Sequence, residues 1–316
     1  MRIFIAGATG VIGRRVVRRL AAAHDVTAIA RTQRRREELS RFGATPVQLD
    51  LFDAAAVERA VARHEVVINL ATHIPPASRA LLPGAWRQND RIRRTASANL
   101  ANAATAAGAQ RFIQESFAPI YPDRGSEWID EQTPVRPARY NRSVLDAEAA
   151  ADRFTQDGRA GVVLRFAFFY GPDSEFTHDI IRYVRKGWVP PLGSPDAYIS
   201  SVSHDDAAAA VIAALGVPAG VYNVVDDAPV TRREFYGSLS ATLGVPPPRF
   251  LPVWLSRLMG SMGETLGRSQ RISNRKLRDA SGWVPSLPSV RDGWPAVLLQ
   301  TTRGVSADLL SDPRAM

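Results

Sequence analysis

The chain of 316 residues contains no cysteine. Disulfides, thiolate metal ligands and cysteine nucleophiles are thereby excluded, and the absence fits a reducing, cytoplasmic setting. Lysine is almost missing too: only Lys186 and Lys276 occur, so the formal charge of +9 rests on arginine. Those arginines are spread over many helical stretches without a zinc or RNA-binding signature. A solvated basic surface is expected, and no nucleic-acid partner. No apolar run approaches the roughly 20 residues of a membrane span, and MRIFIAGATG reads as a strand entering glycine, not as a signal peptide. The five histidines lack ligand spacing, so no metal is expected.

What is present is alternation. RIFIA (2–6), DVTAIA (25–30), TPVQL (45–49), EVVINL (65–70) and RFIQES (111–116) have strand character, with helical stretches between them. A helix is expected over 86–107 with Gly108 as its stop, and another from Tyr140 to about Gln156. GVVLRF (161–166) supplies a sixth strand. Strand and helix in turn imply parallel pairing with right-handed crossovers. The expected class is α/β, a doubly wound parallel sheet (Rossmann) with a smaller, mostly C-terminal substrate lobe. Beyond residue 170 proline and glycine become frequent. The boundaries that follow are a dinucleotide-binding domain at 1–169 with a return segment at 200–226, and a substrate lobe from 170–199 and 227–316. YISSV (198–202) and GVYNVV (220–225) are expected strands, Trp254, Trp283 and Trp294 are expected to pack the lobe, and a frayed tail is expected from about 304.

GATGVIG places Gly7, Gly10 and Gly13 after the first strand and at the start of the first helix. A pyrophosphate site needs glycine for the tight turn, for close backbone approach and for helix–sheet packing. The helix N-terminus adds free N–H groups and a positive dipole. Thr9, Val11 and Ile12 complete the candidate phosphate loop. The second strand ends at Ala30–Arg31, followed by Arg34, Arg35 and Arg36. An acid there would bind the ribose hydroxyls of NAD, whereas guanidinium grips a 2′-phosphate. Arg31 and Arg35 therefore point to NADP. Asp50 and Leu51 stand where a carboxylate reaches the adenine, and Leu70, Ala71 and Thr72 stand beside phosphates and ribose.

Together with NLANAATAAGAQRFI (99–113), YNRSVLDAE (140–148), LRFAFFYGP (164–172), SVSHDDAAAAVIAAL (201–215), VYNVVDDAPVTRREF (221–235) and SNRKLRDASGW (273–283), this loop resembles the extended or atypical branch of the short-chain dehydrogenase/reductase superfamily, the NAD(P)-dependent epimerase/dehydratase-like group. The resemblance runs through almost the whole chain. It implies a catalytic tyrosine, and Tyr140 holds that position. It also implies a lysine four residues on, where this chain has Val144, and a serine or threonine at the place of Phe117, next to Ser116. The catalytic candidates are thus Tyr140 and Ser116. Phe117 puts an aromatic wall beside the nicotinamide, and Phe166, Phe168 and Phe169 either pack the core, as alternating strand residues more often do, or continue that wall, with Phe166 as a cofactor contact. Relatives of this type also imply a homodimer through the helices at 86–107 and 140–156, although neither shows a marked apolar outer stripe.

A phenol without an adjacent ammonium stays protonated at neutral pH. It can donate a proton during reduction and is a poor base for oxidation. The resulting expectation is an NADP(H)-dependent reductase of a small, hydrophobic carbonyl or enone. Two others stay open: a non-redox isomerase, cyclase or dehydratase on the same fold, and a catalytically silent NADP-binding sensor.

Overall fold

Short runs such as Ile3–Ala6 and Val66–Asn69 are buried on both faces, which is what a central parallel strand between two helical layers requires. The computed structural model describes residues 1–76, 78–82, 84–156, 158–190 and 193–310. Seven strands form the main sheet: β1 (Arg2–Ala6), β2 (Asp25–Ile29), β3 (Thr45–Val47), β4 (Val66–Asn69), β5 (Arg111–Phe117), β6 (Ala160–Phe166) and β7 (Gly220–Val224). Their spatial order is β7-β6-β5-β4-β1-β2-β3, and every neighbouring pair is parallel. The order reverses between β1 and β4, so the crevice for a ligand opens beyond the carboxyl ends of those strands.

The principal helices are α1 (Val11–Leu20), α2 (Gln33–Arg41), α3 (Ala54–Val61), α4 (Ser97–Ala106), α5 (Val144–Phe154), α6 (Glu175–Arg185), α7 (His204–Ala213) and α8 (Arg232–Leu243). Val16, Val17 and Leu20 of α1 join Ala207, Ala210 and Val211 of α7 on one face of the sheet. Val57 of α3, Leu100 of α4 and Phe154 of α5 cover the other. A separate apolar core gathers Tyr170, Ile180 and Val184 with Phe235 and Leu239 of α8 and Trp294 of the helix Val290–Leu310. None of the helices among the described residues is long and apolar enough to cross a membrane.

Four expectations are corrected. The helix expected from Tyr140 starts only at Val144, and Tyr140 lies in a 3-10 turn, Arg139–Asn141. Asn141 and Ser143 favour turns over helix interiors, and the Ser143 hydroxyl donates to Asp90 Oδ1 at 2.6 Å. YISSV splits in two. Tyr198–Ile199 pairs antiparallel with Val230–Thr231, and Ser201–Ser203 pairs parallel with Phe168–Tyr170. The helix Val290–Leu310 runs past the point where a frayed tail was expected, and residues 311–316 lie outside the described residues. Of the three tryptophans only Trp294 packs the second core. Trp283 joins the main one and Trp254 is 61% exposed.

Candidate active site

The glycine loop is built by backbone contact. Gly7 has φ +79°, and a Cβ there would stand 2.3 Å from the Leu70 carbonyl carbon. A Cβ on Gly13 would meet Gly7 O at 2.1 Å. Both clashes are with main chain, so neither position tolerates a side chain. Gly10 caps α1 without a side-chain hydrogen bond, and no acid lies in the first turn. Val11, Ile12 and Gly13 thus present N–H groups outside the helical ladder, in a cradle that fits a pyrophosphate. Thr9 is half-buried beside it.

The other cofactor candidates fall along the same crevice. Ala71 N donates to Asn69 Oδ1 at 3.1 Å, which fixes Leu70 and Ala71 against Gly7, with Thr72 exposed beyond them. Asp50 is exposed and accepts from Phe52 N through one oxygen, leaving the other outward, while the Leu51 carbonyl accepts from Asn99 Nδ2 at 2.9 Å. Arg31 is exposed at the end of β2. Arg35 is committed: its Nη1 lies 2.5 Å from Glu38 Oε2, and Glu38 is shared with Arg14. Burial works against ionising Glu38, but Arg35 and Arg14 hold its carboxyl below the ordinary value.

Tyr140 is half-buried between two elements. The Trp86 ring meets it edge-on at 4.9 Å, and the segment after Trp86 is a helix, Arg87–Arg91, continued by a π-helical turn, Ile92–Ala96. Burial pushes the Tyr140 phenol up to about 12, against the opposing influence of Arg93, Arg268 and the Asn141 amide. The phenol is neutral at physiological pH, with burial as the largest cause. Val144 is a core residue of α5, and because the tyrosine sits outside that helix the two share no helical face.

Two candidates are packed away from Tyr140. Ser116 is fully buried and donates to Glu148 Oε1 at 2.5 Å. Glu148 is held by both Arg165 nitrogens, at 2.8 and 2.7 Å, Arg165 donates to Tyr121 OH, and Tyr121 donates to Asn223. The Ser116 hydroxyl is thus engaged inside a buried polar network. Phe166 belongs to the core beneath the sheet, packed on Phe169 at 5.3 Å. The aromatic wall takes another route. Phe117 meets Phe168 edge-on at 6.3 Å, and Phe168 stacks on the exposed Phe176 at 6.3 Å. Strand alternation sends Phe117 and Phe168 toward the cleft and their neighbours inward.

Trp86, Arg93 and Phe176, which the fold brings to Tyr140 or to the aromatic wall, are not marked by the sequence. Arg93 is one of many dispersed arginines, and nothing local marks it. The other titratable clusters are structural: His204 Nδ1 bonds Asp173 Oδ1 at 3.0 Å, and among the described residues no group of potential ligands could hold a metal.

With this geometry in place, comparison with known proteins gives a consistent result. The model of the NAD dependent epimerase/dehydratase family matches residues 3–224. A 3-diazoavenalumate denitrifying reductase from a Streptomyces species is 37% identical over 309 residues, covering 93% of this chain and 99% of the relative. A 2-alkyl-3-oxoalkanoate reductase from Shewanella oneidensis is 26% identical, over 84% of this chain and 72% of its own. Among solved structures, a human epimerase family protein with NADPH superposes with a TM-score of 0.79 at 22% identity, covering 94% of this chain and 99% of that one.

Proposed function

The chain belongs to the NAD dependent epimerase/dehydratase family, and on that premise we propose that it is an NADPH-dependent reductase of a small, hydrophobic ketone or enone, with Tyr140 as proton donor. The observation that carries this reading is a neutral, half-buried phenol at the cleft with no lysine beside it. Such a group gives a proton readily to an oxygen that is gaining charge and takes one poorly from an alcohol. The bound dinucleotide would supply hydride. The glycine loop would hold its pyrophosphate, Arg31 its 2′-phosphate, and Asp50 its adenine. Phe117, Phe168 and Phe176 would seat an apolar or planar substrate and exclude water from the reacting carbon. The names of the two relatives described above support reduction over isomerisation or silent binding.

The test follows NADPH oxidation over a panel of hydrophobic ketones and enones, 2-alkyl-3-oxo acids included. Turnover is expected, and Tyr140→Phe should lower kcat by about 10²–10⁴-fold while NADPH affinity, read by fluorescence, stays unchanged. Tight NADPH binding with no oxidation across the panel would sink the proposal, as would a Tyr140→Phe enzyme that keeps its rate.

The Streptomyces relative's name favours a second acceptor, an aryl diazo group. In the cationic diazonium form the terminal nitrogen takes the hydride of NADPH without a proton donor, and the neutral diazene then breaks its C–N bond, losing N2 as its N–H hydrogen passes to carbon. That route would tolerate the missing lysine and serine. It predicts N2 release that survives Tyr140→Phe.

A further inference from the structure

The chain segment that carries Trp86 runs beside the Tyr140 turn like one rail of a ladder. Trp86 meets the Tyr140 ring at 4.9 Å, Asp90 Oδ1 accepts from Ser143 Oγ at 2.6 Å, and Arg94 Nε donates to Asp146 Oδ2 at 3.0 Å. Asn89 and Arg93 occupy the neighbouring stripe of that rail and turn inward. Asn89 Oδ1 accepts from His73 N at 2.8 Å, and Arg93 Nη2 stands 3.6 Å from Glu115 Oε1 on β5. Both side chains are buried, and both keep unpartnered atoms: Asn89 Nδ2 and Arg93 Nε, as does Glu115 at Oε2. A buried guanidinium with one long ion pair and an idle N–H is held back from full satisfaction, which is costly unless it serves something else. The π-helical turn Ile92–Ala96 places it there, and single π turns inside helices concentrate at functional sites.

We propose that Arg93 is the positioning residue of the Tyr140 site, taking the place of the absent helical lysine by stabilising the phenol oxygen as its proton leaves for the substrate. The inference rests on the reductase reading given above. In that step the O–H bond of Tyr140 breaks, the proton goes to the substrate oxygen, and the bonding pair stays on the phenol oxygen as NADPH provides the hydride. Negative charge then appears in a buried place, where a nearby cation counts far more than in water. Two cations act on Tyr140, Arg93 and Arg268. Arg268 is already spent: Nη1 donates to the carbonyls of Tyr121 and Arg136, and Nη2 pairs with Glu264. Arg139 and Arg142, beside Tyr140 in sequence, are exposed. Only Arg93 among these combines burial with an uncommitted donor. Glu115, whose carboxyl burial pushes up against the pull of Arg93, sets how much of that charge reaches the tyrosine.

The experiment places a fluorinated tyrosine, a more acidic phenol, at position 140 of the full chain and titrates it by 19F NMR without cofactor or substrate. Arg93→Gln should move that titration up by roughly one pH unit, and Arg93→Lys should restore most of the shift. Glu115→Gln, which leaves the guanidinium in place, should move it down and keeps the question answerable if Arg93→Gln does not fold. In unlabelled enzyme, Arg93→Gln should lower kcat about tenfold with little change in KM. A titration unmoved in folded Arg93→Gln, or unmoved or raised in Glu115→Gln, overturns the proposal. Because the titration needs no turnover, a wrong reductase reading would silence the kinetics and leave the NMR result standing.

Discussion

Two guanidiniums near the end of β2 differ in what they are free to do. Arg31 is exposed, whereas Arg35 must first let go of Glu38, which Arg14 also holds. Recognition of a 2′-phosphate should therefore depend on Arg31 first. Hydrogen bonds to a charged group contribute about 1.5–3 kcal/mol, so Arg31→Asp should weaken NADPH binding by roughly 10–100-fold and spare or improve NADH. Arg35→Ala should cost less, since Arg35 is already paired with Glu38. Fluorescence titration of both nucleotides reads the two variants, and unchanged NADPH selectivity in Arg31→Asp would remove that residue from the site. At this scale sequence goes as far as local chemistry goes. Gly7 and Gly13 are demanded by clashes within one turn, and a loop motif reveals them. Arg93 stands 47 residues from Tyr140 in sequence and acts on it only electrostatically across the fold, so no spacing announces it.

At the scale of elements, strand β5 does two jobs with adjacent residues. Phe117 faces the cleft while Ser116 points into the polar network that joins α5, β6 and β7. Ser116→Ala should thus leave kcat unchanged and lower stability by about 1–2 kcal/mol, the cost of one buried hydrogen bond. Glu148→Gln should be worse. It strips the counter-charge from Arg165, and breaking a buried pair costs about 3–5 kcal/mol. Denaturant melts alongside initial rates separate the two outcomes, and a loss of kcat in a stable Ser116→Ala enzyme would return the serine to the active site. Element boundaries account for the main misreading here. The apolar spacing of α5 extends smoothly back to Tyr140, so a helix looks continuous. The chain is diverted because the Ser143 hydroxyl bonds Asp90 across a tertiary contact. Strand periods, set by local burial, were by contrast legible for all seven strands of the main sheet.

Over the whole molecule, the two cores are joined by carboxylates at a polar seam. Arg15 binds Asp173 and Asp205, Asp206 accepts from Ser286 and Leu287, and Asp226, just past β7, accepts from Ser201 at 2.9 Å. Composition alone marks a rise in proline and glycine past residue 170, but a seam made of contacts 25 to 190 residues apart was not readable. Asp226 gives it a pH signature. Burial pushes its carboxyl up to about 8, with Asp227 and Asp206 adding to the shift and Ser201 opposing it, and Oδ1 has no partner. An unfolded aspartate loses its proton near pH 4. Between about 4 and 8 the folded chain therefore holds a proton that the unfolded chain has released, so this group's contribution to stability is full below 4 and falls as pH rises. The slope is at most about 1.4 kcal/mol per pH unit and vanishes above 8, where both states are ionised. Asp226→Asn keeps the shape and removes the titration. Calorimetry at pH 5, 6, 7 and 8 should find the wild-type Tm declining relative to the variant at each step. Parallel curves would mean that Asp226 is already ionised in the folded seam, and that Ser201 and the surrounding dipoles outweigh the cost of burying its charge.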